Sequence, residues 1–168
     1  MNLVTKNVAV LTAAIQVLAV SPAIGQDIVA WNQDRARIFS RVCLASAPSF
    51  SDFEDFAVEE GFEKVRGEWL FQPEVVVSLM KHGEICSCYM TVGAPDQTAM
   101  VTTMFHQLMD DFGDDFRGSL QGMVNVVAFE REGVEVTSHL EPFSSSGQSW
   151  IAAQISVSGD CPKSEGGL

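Results

Sequence analysis

Five side chains able to hold a soft metal fall within eleven residues: Met80, His82, Cys86, Cys88 and Met90. Thiolate and thioether sulfur select Cu(I) among the biological metals. Alternation along a strand puts Cys86, Cys88 and Met90 on one face, with His82 in the turn at its end. The same residues have a plainer reading. An even number of cysteines in an exported chain implies disulfides, and methionine is an ordinary filler of core gaps. Disulfides and core are the expectation; soft-metal (copper) binding by this cluster is the alternative.

A second group is the acidic run Asp110-Asp111-Phe112-Gly113-Asp114-Asp115. Carboxylate oxygens suit a hard cation such as Ca²⁺, but the run lacks the ligand spacing of an EF-hand loop. Carboxylates at a helix C-terminus oppose the macrodipole, at about 0.3–1 kcal/mol per charge. A solvated acidic helix exit is the expected state, with Phe112 and Phe116 anchoring its two sides.

The third is His139, which shares a strand face with Glu135, Thr137 and Glu141 and precedes Ser144–Ser146. A base oriented by a carboxylate near a serine is the logic of a hydrolytic triad. No G-x-S-x-G elbow accompanies it, so a small hydrolase using His139 is only a second alternative. The chain also carries no P-loop, dinucleotide fingerprint, H-E-x-x-H or haem-attachment motif. No catalytic residue, metal or cofactor is assigned.

The N-terminus sets the context for these residues. Lys6 is followed by an apolar run from Val8 to Val20, then Ser21-Pro22 and the small-x-small triplet Ala23-Ile24-Gly25. This is the pattern of a secretory signal peptide cleaved after Gly25. Its apolar run is shorter than the ~20 residues a spanning helix needs. Residues 1–25 are therefore read as a cleaved signal, residues 26–161 as one disulfide-linked domain, and residues 162–168 as a loose tail. The expected location is the periplasm or the cell exterior, with no membrane span after cleavage.

Export makes the four cysteines a framework. Cys86 and Cys88 on one strand face stand nearly 7 Å apart at Cα, the outer limit for a disulfide. Each is expected instead to take a distant partner, one bonding Cys43 and the other Cys161. Bonds closing such long loops contribute about 4 kcal/mol each on the chain-entropy estimate.

The elements follow from periodicity. Asn32–Ala45 reads as a helix with Ile38, Phe39, Val42 and Cys43 on one face, Trp31 at its apolar end and Ala47-Pro48 closing it. A second helix, 52–60, starts from a Ser51/Glu54 capping box and stops at Gly61. From Trp69 onward the period changes to strand; Pro73 separates Trp69–Gln72 from the strand 74–80, which forms a hairpin with 85–92 across Lys81–Glu84. Asp96 caps a third helix running to Phe112. Strands at 124–130, 134–140 and 148–157 complete the order ααββαβββ, the last two joined by a Ser144–Gly147 loop. The fold expected is α+β: an antiparallel sheet of about five strands, with three helices mainly on one face.

The full chain carries 10 basic against 22 acidic residues, a net charge of −12. With no Lys/Arg cluster, a nucleic-acid surface is excluded. Eleven Phe and three Trp exceed what a small core readily buries, and an aromatic surface patch marks an interface. Strand parity nominates Phe71, Phe129, Phe143 and Trp150. The functional expectation is a non-catalytic binding or structural module that contacts an envelope or periplasmic protein.

Overall fold

A computed structural model describes residues 23–65, 68–72, 74–112, 117–118 and 125–162. Its strands are β1 (Glu63–Val65), β2 (Glu68–Gln72), β3 (Val75–His82), β4 (Ile85–Gly93), β5 (Arg117–Gly118), β6 (Asn125–Arg131), β7 (Val134–Ser145) and β8 (Gln148–Ser158). They form one antiparallel sheet in the order β1-β2-β3-β4-β8-β7-β6-β5. The five long strands read from alternation are its contiguous centre, and β1, β2 and β5 extend its edges. After β4 the chain leaves the sheet through a helix, returns at the far edge, and folds inward until β8 pairs with β4.

Register puts the apolar residues of neighbouring strands in rows. Val77, Met90, Ala153 and Leu140 form one, and Val75, Val92 and Ile151 another. All are buried. The helices lie on this face: α3 (Gln97–Phe112) packs on β7 and β8 as well as on α1 (Ala23–Phe39). The fold is α+β, as the sequence pattern indicates.

The first helix departs from its predicted form. It begins at Ala23, nine residues before Asn32, and its α-helical part stops at Phe39. Ser40–Leu44 is a π-helical turn, closed by the Ala45 N–H donating to the Ser40 carbonyl at 2.8 Å. The wider turn inserts a residue into the helical register, so Val42, Cys43 and Leu44 are all buried in succession. Ser46 Oγ donates to the Val42 and Cys43 carbonyls at 2.6 and 3.1 Å, serving acceptors at the helix end. Such a re-aiming is invisible to a 3.6-residue template.

The second helix, α2 (Phe53–Glu59), is likewise one residue shorter at each end than predicted. Its capping box does not form: Asp52 is the N-cap and makes no side-chain cap bond. Glu54 is drawn instead to Lys64 at 3.0 Å, and Ser51 Oγ donates to Asp52. At its C-terminus Phe62 N–H reaches Ala57 O and Gly61 N–H reaches Val58 O, both at 3.0 Å. Gly61 supplies the positive φ of 82° that this Schellman ending requires. Glu60 then ties α2 to the first helix, accepting from Arg37 Nη1 at 2.8 Å and pairing with Arg41 Nε at 3.0 Å.

The third helix starts as expected, with Asp96 Oδ1 accepting from Ala99 N–H at 2.9 Å. The last hairpin does not match its prediction. The strand read as 134–140 continues to Ser145, and only Ser146 and Gly147 turn the chain, at φ 53° and 76°. Two positive-φ residues favour a tight hairpin turn whose twist matches the strands. The serine run looked like loop by composition, but cross-strand pairing holds Ser144 to Ser149 and Ser145 to Gln148.

Candidate functional site

Both strand cysteines are bonded to distant partners. Cys43 on the π-helical turn is bonded to Cys88, with Cα atoms 5.4 Å apart, and Cys86 to Cys161, with Cα atoms 4.9 Å apart. Cys43, Cys86 and Cys88 are fully buried, while Cys161 is half-buried. Around Cys161 the chain end is held by several contacts. Gly159 N–H donates to Glu84 O at 2.7 Å, Cys161 Sγ lies 3.5 Å from Met80 O, and Lys81 pairs with Asp160. The two disulfides suggest an oxidising environment.

The soft-metal set is not assembled. Met90 points into the core, while Met80 and His82 are exposed. Met80 pairs with Ser87, one residue out of phase with the inward cysteines, so it faces the other side of the sheet. Among the described residues no group of three His, Cys, Asp or Glu side chains is placed to hold a metal ion. The thiol sulfurs are committed to disulfides, which removes the thiolates on which the copper alternative depends.

Half of the acidic run, Asp114 and Asp115, lies outside the described residues, as do Gly113 and Phe116. Asp110 and Asp111 end α3 exposed; Asp111 accepts hydrogen bonds from Ser40 and, at 3.1 Å, from Gln107. His139 is half-buried on the outer sheet face, opposite Gln154. Ser144 lies five residues along the same extended strand, roughly 17 Å away. β7 continues as strand through Ser145 where a loop was expected, so the chain does not bring Ser144 back toward His139.

A different place in the molecule is concave. At the end of the sheet where β4 passes into α3, an open cavity of about 860 Å³ is lined by Asp27, Ile28 and Trp31 of α1. Glu74, the segment Gly93-Ala94-Pro95, and Gly147 to Trp150 complete it. Its sheet-side walls are locked. Gly93 N–H donates to Glu74 O at 2.8 Å, and Ala94 N–H donates to Ser149 O at 2.9 Å. Gln97 Nε2 donates to the carbonyls of Phe143 and Trp150, at 2.7 and 2.9 Å, tying the β7–β8 hairpin to the start of α3. Gly93 lies close against Glu74: a Cβ there would stand 3.2 Å from the Glu74 Cβ, whereas the Trp150 indole edge, at 3.8 Å, would be in ordinary contact.

The electrostatics of this cavity are one-sided. Asp27 and Glu74 contribute carboxylates, and among the described residues the lining includes no lysine, arginine or histidine. Behind one wall, the Arg35 guanidinium lies 3.8 Å from the centre of the Trp31 ring and is 2% exposed. Burial lowers its basicity; Asp34 and Glu74 oppose that effect, and Arg37 adds to it.

Of the four aromatic residues nominated for a surface, Trp150 lines the cavity and Phe143 is its cross-strand partner. Phe129 is a correction: it is buried, its ring 3.7 Å from that of Phe112. It faces inward because β6 pairs Phe129 with the core residue Val136. The Phe71 side chain lies outside the described residues. Sequence reasoning missed Asp27, Ile28, Glu74 and Gly93 altogether. Their only local signals were two acidic residues beside strand and helix starts, and a Gly-Ala-Pro strand ending.

Of the expected export segment, only Ala23–Gly25 fall among the described residues, as the start of α1. Residues 163–168 of the expected tail also lie outside them. No helix among the described residues is long and apolar enough to cross a membrane. No protein-family model, curated protein or solved structure matches the chain.

Proposed function

We propose that this chain is an exported, non-catalytic binding module that acts by contact with a protein partner in the periplasm or cell envelope. The observation that carries the reading is the cavity at the sheet end. Its size falls in the range of ligand-binding clefts, and its walls are apolar and aromatic with a few polar groups, the usual make-up of such sites. Its walls come from separate parts of the chain, fixed by backbone hydrogen bonds and by Gln97. The export part rests on the N-terminal pattern Lys6–Gly25 and on two disulfides, which persist in oxidising compartments.

The test is made in living cells. A photoreactive residue at position 95, on the cavity wall, is compared with one at position 58, exposed on α2. An adduct from 95 and none from 58 supports the reading, provided the trapped protein, once purified, also binds in calorimetry. No adduct from position 95 or 148 overturns it. Mass spectrometry of the exported fraction tests location: a chain beginning at Gln26 is expected, and one retaining Met1 in the cytoplasm overturns export.

A further inference from the structure

We infer that the cavity between Trp31 and Trp150 receives a cationic side chain, lysine or arginine, carried on an extended apolar segment of the partner. This rests on the binding reading above and names the chemistry of what is bound.

The argument begins with charge. Among the described residues the lining offers the carboxylates of Asp27 and Glu74 and no basic side chain, and Asp96 stands exposed beside Pro95. An anionic or acidic segment entering here meets like charge on two walls. A cation meets attraction from both. The aromatic walls act in the same direction, since the face of an indole attracts a cation held within about 6 Å of its centre. Arg35 already occupies that position on Trp31, so of the two indoles it is Trp150 that is left for an incoming cation. The indole of Trp150, over Gly93, lines the cavity itself.

Size and polarity separate a side chain on a segment from a free amine. A cavity of about 860 Å³ is far larger than one ammonium or guanidinium group requires. Ile28, Ala94 and Pro95 offer apolar surface to the methylene stem of a lysine or arginine and to apolar neighbours of that residue. Ile28 and the adjoining Val29 are 40% and 55% exposed at the start of α1, extending the apolar surface beyond the mouth. The occupant that matches all of these features is a basic residue flanked by apolar ones.

The probe is the peptide acetyl-Leu-Arg-Leu-Arg-Leu-amide, compared with its counterpart carrying Glu in place of Arg. Binding to the purified protein is followed by tryptophan emission and calorimetry at low and moderate salt. Saturable binding of the Arg peptide is expected, weakened by salt through screening, with none for the Glu peptide. Asp27→Asn combined with Glu74→Gln is expected to weaken binding about tenfold, the equivalent of ~1.4 kcal/mol. Trp150→Ala should weaken it as well, its folding checked by circular dichroism. The two carboxamide changes lie at the surface and keep the test decisive if Trp150→Ala unfolds. Equal binding of both peptides, no saturable binding of the Arg peptide, or unchanged affinity in the carboxamide variant overturns the inference. Failure here with an adduct at position 95 rejects the cation alone. Failure of both rejects the binding module itself.

Discussion

Cys43, on the π-helical turn, is bonded to Cys88 in the middle of β4, and both residues are closed to water. The second bond differs in one respect, because Cys161 is half-buried. Thiol–disulfide exchange needs access to a sulfur atom. Mild reduction followed by alkylation should therefore label Cys86 and Cys161 before Cys43 and Cys88, as read by peptide mapping. The reverse order would show that the helix layer opens more readily than the chain end. Replacing Cys43 and Cys88 together by alanine removes a bond spanning 45 residues, and urea unfolding should report a loss of about 2–4 kcal/mol.

The Lys81 ammonium donates a hydrogen bond to the Asp160 carboxylate and attracts it, holding its pKa below the ordinary value near 3.8. A carboxylate depressed in the folded state stabilises fully above its unfolded pKa, and that contribution fades as pH falls through the folded pKa. Carbon-13 titration of the Asp160 carboxyl should give a midpoint below 3.8. Lys81→Met should move it upward. An unchanged midpoint would mean that the pair does not hold in solution.

Gln97 clamps both Phe143 and Trp150 by their carbonyls. Gln97→Ala should cost about 1–2 kcal/mol in thermal or urea unfolding. It should also shift Trp150 emission to the red as the hairpin loosens. Stability and emission both identical to the parent would show that the backbone ladder alone fixes the cavity wall.

Ser138 sits on the inner sheet face at 0% exposure, and its hydroxyl has no hydrogen-bond partner among the described residues. A buried, unsatisfied hydroxyl costs free energy. Ser138→Ala should therefore leave stability unchanged or raise it by up to about 1 kcal/mol. A loss greater than that in urea unfolding would reveal a hydrogen bond to this hydroxyl.

The strands were legible because their signal is local. Val75-Val76-Val77 and the alternation of Cys86, Cys88, Met90 and Val92 identify β3 and β4 without reference to any other part of the chain. Asp96 announced α3 for the same reason, since a cap needs only its own helix. The Ser51/Glu54 box failed although its pattern was right. Lys64, ten residues along the chain, took the Glu54 carboxylate that the box needed. Ser144–Ser146 misled because composition cannot register the backbone pairing that extends β7.

By itself, then, the amino-acid sequence determined that the segments around 74–80 and 85–92 are extended and that Cys86, Cys88 and Met90 share a face. These follow from side-chain periodicity within a few residues. Only the tertiary structure decided that β8 lies beside β4, that Cys43 takes Cys88, and that a π-helical turn presents it. It alone brought Asp27, Trp31, Glu74 and Trp150 around one cavity. Those relationships depend on long-range strand pairing and on how the helix layer packs on the sheet, and no local pattern encodes contacts between residues 45 or more positions apart.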